Sequence, residues 1–438
     1  MDFFFLIVFL TIYYIRPHEW IDWVGSMRPI SLTIVLALAS LLFRERGIRF
    51  RDFIRTPHDR LMLLYFFWIC VSSDEPFETL GACYALLVFY FLVVQIAYDP
   101  ERLKGFIKWW ALMIFSIAFL AWASEMGFDP TESYRRTHGA RLQGRLILNT
   151  SLFDNPNALG HSVVPILGIL YLYHVWKHGI FRIILGIVLA IIPIWTIYLT
   201  QSKGTYLSGF VMVLCMLTFR KSLIQKLATV GGMLIIGSIL LTALPRMEDL
   251  TRDKGDREEG IEGRIASWTF ALDCLQNNRV LGYSKFAPTF HETFGYQKPS
   301  HSSYVQIGAE LSYPGLFCFV GLMYICVRSL HEVKTKDIEL ERIRRILFVM
   351  LAAYAASSWT VDFAFRATFF MLVGAVAALH RLNLPPDDKP PVVNPELLTE
   401  PKTPITEIFT RLRFIDFPVM VGLTYLTVRL WIFLKNSV

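Results

Sequence analysis

Lys203, Arg264 and His301 are the side chains of this 438-residue chain whose types could act together on one substrate. Each lies at or next to the end of a long apolar run. Two cations can hold an anion, above all a phosphate. An imidazole exchanges a proton near neutral pH. Polar neighbours accompany them. Upstream stand Arg135, Arg136, Arg141 and Arg145, then Asn155 and Asn157; downstream stands Glu310. The set suits an anionic, phosphate-bearing substrate and a proton transfer.

Each residue also has a plainer explanation. Lys203 could snorkel from the end of a membrane helix, although Ser202 and Gly204 beside it would let another backbone come close. Arg264 could be one more solvated charge in a stretch that also holds Arg252, Lys254 and Arg257. His301 could be a loop histidine without a role. Glu310 follows it by nine residues, about two and a half helical turns, so the two do not meet within one helix. Asn155-Pro156-Asn157 is a turn signature in its own right. Asp362 and Arg366 read as a structural ion pair.

The elements that must position these groups are membrane helices. Hydrophobic residues make up 54% of the chain and charged ones 18%, against about 25% charged in an ordinary soluble protein. Runs of about 15 to 20 apolar residues account for the difference. The expected fold is all-α, a polytopic transmembrane bundle of about 12 spans. A thirteenth segment, 417–438, would be a final span or an interfacial helix. The net charge of +7 reads as Lys and Arg held in cytoplasmic loops, not as a nucleic-acid surface. The six cysteines show no metal-ligand spacing, so no metal and no disulfide framework is expected. The apolar start, Met1 to Ile15, has no basic n-region and reads as a retained first span.

Charge sets the orientation. Arg44, Arg46, Arg49, Arg51, Arg55 and Arg60 place the second loop in the cytoplasm. Alternation then puts the loops with Lys203, Arg264 and His301 outside, with a large periplasmic loop, 245–302, between spans 9 and 10. The basic stretch from Arg135 to Arg145 also falls outside, against the charge bias, and an anionic ligand would explain it. The chain divides into spans 1–124, a central region 125–330, spans 331–380, a cytoplasmic Pro-rich linker 381–416, and 417–438.

The order of motifs adds to this reading. Leu199-Thr200-Gln201-Ser202-Lys203-Gly204 resembles the "LTxSRG" element of the bacterial O-antigen ligase and polymerase-like superfamily. Gly263-Arg264 with Trp268 resembles its "GR…W" element, and Gly282-Tyr283-Ser284-Lys285-Phe286 its "GxGxF" element. His301 with Glu310 and Gly315 is similar to "HNxxL…ExGxxG", and Phe153 to Gly160 to the upstream "F-NPN-LA" signature. The resemblance covers about Leu142 to Phe319. Lys203 stands where the family usually has Arg, Ser302 where it has Asn, and Ser284 where it has a second Gly.

The resemblance implies a metal-independent glycosyltransferase of the bacterial inner membrane that needs no cofactor. Its donor would be a glycan on undecaprenyl diphosphate, presented at the periplasmic face. Lys203 and Arg264 would hold the diphosphate, with Arg141 and Arg145 added from location and charge. His301 would act on the acceptor hydroxyl, with Arg264 beside it, and Glu310, Asn155 and Asn157 would support the site. The acceptor could be lipid A-core, as in a ligase, another lipid-linked repeat, as in a polymerase, or a protein hydroxyl. A transporter of lipid-linked glycan is the reading from a different class. Transporters, however, place ionisable groups near the bilayer midplane, whereas here they cluster at the outer surface.

Overall fold

A backbone out of reach of water must satisfy its own hydrogen bonds, so long apolar runs fold as helices. The computed structural model describes residues 1–43, 53–139, 142–243, 261–283, 286–296, 299–384 and 409–437. Among them no strand occurs. The helices are α1 (Asp2–Ile15), α2 (Asp22–Ser26), α3 (Pro29–Leu42), α4 (Pro57–Val71), α5 (Pro76–Ile96), α6 (Pro100–Glu125) and α7 (Ser133–Thr137). There follow α8 (Pro156–Leu170), α9 (Ile180–Thr200), α10 (Lys203–Thr218), α11 (Leu223–Ala243), α12 (Ile261–Asn277) and α13 (Phe286–Phe294). The chain closes with α14 (Ser303–Glu332), α15 (Ile338–Ser357), α16 (Ala367–Arg381) and α17 (Asp416–Ser437). Proline at the first position sets the start of α3, α4, α5, α6 and α8, where its missing N–H costs nothing.

Among the described residues six helices are long and apolar enough to cross a membrane: α5, α6, α8 with the π-helical turn Tyr171–Val175, α9, α14 and α17. The apolar helices α1, α3, α10 and α16 are shorter, as is the described part of α11. Every apolar segment expected as a span coincides with a helix, but among the described residues only these six are both long and apolar enough to cross a membrane. The protein is an all-helical, multi-pass membrane protein.

Contacts between distant loops sort the bundle into two ends. At one, the Ser151 hydroxyl donates to Glu19 (2.7 Å), Arg366 Nη1 to the Leu152 carbonyl (2.6 Å), and Ser300 Oγ to Asp362 (2.7 Å). At the other, Arg102 pairs with Asp2 (2.8 Å), Lys104 with Asp337 (3.5 Å), and Arg220 donates to the His331 carbonyl (2.7 Å). These are alternate loops along the chain, as helices running up and down require. Trp110, Tyr65, Phe319, Phe369 and Phe370 fill the core between the ends.

The stretch 245–302, expected as a loop, contains α12 and α13; residues 244–260 lie outside the described residues, as does the Pro-rich 385–408. Both helices belong with α14, which is broken. Ser312 has φ 58° and Pro314 follows it. The freed carbonyls find partners outside the helix. The Tyr283 N–H donates to Ala309 (2.8 Å) and the Trp68 indole to Leu311 (2.9 Å), while Ser312 Oγ donates to the Asn278 carbonyl (2.6 Å). Gly282, at φ +78°, lies so close that a Cβ would stand 2.4 Å from the Glu310 carbonyl oxygen. Only glycine fits there.

The last segment is a helix of span length packed along α14. Apolar surface alone does not drive helices together in lipid, so close packing on small residues matters. Trp431 is fully buried with its ring on Gly308, and Met420 lies on Gly321. Asp416, at its start, is held by Arg328 Nη1 (2.5 Å) and the Tyr324 hydroxyl (2.9 Å).

Candidate functional site

His301 precedes α14, whose N-cap is Ser302. The Ser300–Ser303 segment is laced to the turn between α15 and α16. The Ser303 N–H donates to Ser358 O (2.7 Å), its hydroxyl to Val361 O (2.9 Å), and the Phe363 N–H to Ser303 Oγ (2.8 Å). This lacing fixes Asp362 under the histidine. Its carboxylate accepts from Ser300 Oγ (2.7 Å) and the His301 N–H (3.0 Å), and His301 Nδ1 stands 4.0 Å from Oδ2. Both side chains remain 23% exposed. His301 itself is left-handed at φ 50°, a costly conformation for a residue with a Cβ, and one that concentrates at functional sites.

Arg264 arrives on α12. Trp268, one turn further on, donates its indole N–H to the Ser300 carbonyl (2.8 Å), so the same helix face that carries the cation grips the histidine loop. Burial lowers the Arg264 pKa, and the nearby Asp362 charge works against that shift. Burial likewise raises the Asp362 pKa. Ser300, the N–H groups of His301 and Ser302, and Arg264 all oppose the rise.

Lys203 opens α10, directly after the left-handed Gln201 and the cap Ser202. Ser202 Oγ donates to Asn157 Oδ1 (2.7 Å), which also accepts from Arg145 Nη2 (3.1 Å). Arg145 Nε reaches the Thr200 carbonyl (3.3 Å). Asn155 caps α8 through the Asn157 N–H (2.8 Å). The two asparagines and Arg145 therefore tie the start of α8 to the turn that presents Lys203. A Cβ on Gly204 would fall 2.7 Å from Thr360 Oγ1 and 3.2 Å from His161 Nε2, and this close approach brings the start of α10 against the turn that holds Asp362. Thr360 Oγ1 and His161 Nε2 are bonded at 2.9 Å.

Other expected groups fall elsewhere. Arg141 lies outside the described residues, as do Ser284 and Lys285. Arg135 is exposed, and Arg136 bonds Asn149. Glu310 is half-buried one turn below Gln306, whose amide donates to it (3.3 Å). Asp362 and Arg366 do not form the expected structural pair. Arg366 turns to the Leu152 carbonyl and the Phe363 ring, Asp362 to the histidine loop. Asp362 and His161 are the two groups that sequence reasoning did not place at the site. Asp362 sat at a span end on the outer face, which was the available signal. His161, directly after the Phe153–Gly160 signature, gave none. Among the described residues no three His, Cys, Asp or Glu side chains group as a metal site requires.

A multi-pass helical membrane protein that gathers a lysine, an arginine and a strained histidine–aspartate pair at one end is the class defined by this geometry. Within it, residues 188–320 match the family described as O-Antigen ligase. Over that segment, about a third of the chain, the protein is thus similar to O-antigen ligase and polymerase-type membrane glycosyltransferases. The match takes in Lys203, Arg264, His301 and Glu310 and stops just past the break in α14; Asp362 and the NPN element lie beyond its ends. No curated protein matches the chain.

Proposed function

We propose that this protein transfers a glycan from undecaprenyl diphosphate to an acceptor hydroxyl at the periplasmic face of the bacterial inner membrane, across a topology of twelve or thirteen spans. The observation that carries the reading is the convergence of His301, Asp362 and Arg264 from three separate segments, with the Lys203 turn packed against the same loop. The acceptor oxygen attacks the anomeric carbon and forms the new glycosidic bond. The bond from that carbon to the diphosphate oxygen breaks, and the diphosphate leaves with the electron pair. Lys203 and Arg264 stabilise its charge, as fixed cations do in a site shielded from water. Arg145 and Arg141 add to the field. His301 takes the acceptor proton, and Asp362, on the Nδ1 side of the ring, orients it and stabilises the imidazolium. Glu310 supports the acceptor side through Gln306.

Lipid A-core is the favoured acceptor, which makes the activity that of a ligase. The test is glycan transfer by the purified protein reconstituted in lipid. His301→Ala should lower turnover by about 10²–10⁴-fold while the protein stays folded. Unchanged transfer in that variant would sink the assignment. The surface glycan of a knockout strain then identifies the acceptor. Loss of all capped lipid A-core means ligase, a single capped repeat means polymerase, and loss of a glycoprotein means a protein acceptor. For the topology, a cysteine at the exposed Glu292 should react with a membrane-impermeant thiol reagent from outside; protection there would reverse the orientation.

A further inference from the structure

The end of the bundle away from the candidate site holds cations gathered around one indole. Lys177 Nζ lies 5.0 Å from the Trp176 ring centre, Arg345 Cζ 4.8 Å and Arg342 Cζ 5.8 Å. Arg345 and the fully buried Arg344 also face Phe219, at 5.4 and 5.3 Å. The carboxylates at hand are Glu339, paired with Arg342, and Glu341, shared between Arg344 (2.5 Å) and Arg345 (2.8 Å). Like charges held this close repel one another unless a counter-charge lies among them.

His178 shows that the cluster is short of acceptors. Arg342 Nη2 approaches its Nε2 (3.0 Å), and Arg182 Nη1 lies 3.2 Å from its Nδ1 and 3.4 Å from the same Nε2. A guanidinium can only donate, and a neutral imidazole has one acceptor nitrogen. One ring nitrogen must therefore serve both guanidinium groups. The His178 pKa is lowered by burial and then by Arg342 and Arg182, so protonation does not resolve the conflict in favour of more charge. Arg342, buried to 4% exposure, also has an Nε without a hydrogen-bond partner. Donors thus outnumber acceptors at this point.

The surroundings identify the kind of anion. The cluster lies at the ends of two span-length helices, α8 and α9. Directly beyond it α9 presents Phe181, Ile184, Leu185 and Val188 outward, with Phe181 87% exposed. Trp176 is the type of residue that sits at headgroup level. A π-helical turn, Tyr171–Val175, leads into it, and such turns recur at functional sites. We infer that Lys177, Arg182, Arg342 and Arg345 bind the phosphodiester headgroup of an anionic phospholipid whose acyl chains lie along the exposed face of α9. The bound lipid joins the ends of α8, α9 and α15. At their far ends, α8 carries Asn157 and His161, and α15 leads into the turn with Asp362.

The test uses the full-length protein, purified in detergent and stripped of lipid. Native mass spectrometry then counts the lipids retained on titration with phosphatidylglycerol or phosphatidylcholine. Phosphatidylglycerol should be retained in preference. The double variant Lys177→Gln/Arg182→Gln alters two exposed side chains and leaves the buried arginines in place. It should weaken retention by about 5-fold per charge, about 25-fold together. Arg345→Gln should weaken it about 5-fold, and Lys226→Gln, exposed at the same end, should leave it unchanged. Equal retention of the two lipids would overturn the proposal, as would full retention in the double variant. Displacement of phosphatidylglycerol by an equal concentration of inorganic phosphate would reassign the site to a soluble anion and overturn the lipid.

Discussion

His301 and His380 sit at opposite ends of one bundle, and each has a serine, an aspartate and an arginine close by. At the His380 end the groups bind one another in a buried network. The Phe409 carbonyl can only accept, so His380 Nε2 donates to it (2.9 Å). Nδ1 must then accept from the Ser329 hydroxyl (3.1 Å), and Ser329 Oγ from His58 Nε2 (3.0 Å). Asp59 is fully buried and accepts from Thr56 N and Oγ1 (2.6 Å each), the Tyr90 hydroxyl (2.5 Å) and Arg381 (2.5 Å). At the His301 end the backbone is strained and the ring and carboxylate stay partly open. The same residue types make a fully buried clamp at one end and a strained, partly exposed pair at the other.

Arginine substitutions should separate the two ends most strongly. Arg264→Ala is expected to cut transfer by about 10²–10³-fold with the folded yield unchanged. Arg381→Ala should do the reverse. Leaving Asp59 buried without its cation costs about 3–5 kcal/mol, so folded protein is lost while turnover per folded molecule holds. Activity and thermal unfolding of both variants decide the matter. A loss of activity from Arg381→Ala alone, or of folding from Arg264→Ala alone, would break the contrast.

Asp362→Asn comes next. It keeps the shape and removes the charge that orients the imidazole, and turnover should drop by up to about 10²-fold, the cost of misplacing a catalytic group by an ångström. The pH profile sharpens this. Burial raises the Asp362 pKa, so the folded state binds that proton more readily than the unfolded chain. As pH falls this group therefore favours folding while activity is lost. The part of the acid limb that Asp362 contributes should lie above the ordinary aspartate value of about 3.9 and vanish in Asp362→Asn, while the part set by the general base stays. Trp268→Phe removes the indole N–H from the Ser300 carbonyl and should cost about 1 kcal/mol, with a few-fold loss of transfer. Arg136→Ala, exposed and remote, should change stability by less than about 0.5 kcal/mol. A larger loss of transfer than that of Trp268→Phe would bring Arg135 and Arg136 into the site as well.

The helices are legible in the sequence because an apolar run has one way to satisfy its backbone in lipid. The common end of Lys203, Arg264 and His301 is legible because successive spans alternate in direction. Asp362 is not, because its role depends on the turn after α15 meeting residue 300, and no local spacing encodes a contact across sixty residues. The pairing of Asp362 with Arg366 looked natural at helical spacing, but residues 358–366 are not helical there. α12 and α13 escaped notice because their apolar faces are short and set in a polar stretch. Pro314 hinted at the break in α14; the Gly282 turn that fills it could be seen only once folded.

That break also serves as a depth gauge. Below it, residues 313–332 form a cylinder about 30 Å long at the helical rise per residue. This equals the thickness of a bilayer's hydrocarbon core. Above it, residues 303–311 add about 13 Å. If the lower cylinder fills the core, His301 stands at or just past the headgroup layer, which reaches about 5–8 Å beyond the core on each side. A lipid's diphosphate lies at that level, with its tail below and its sugars in water above. One proline and one left-handed serine thus set how far His301 stands above that cylinder.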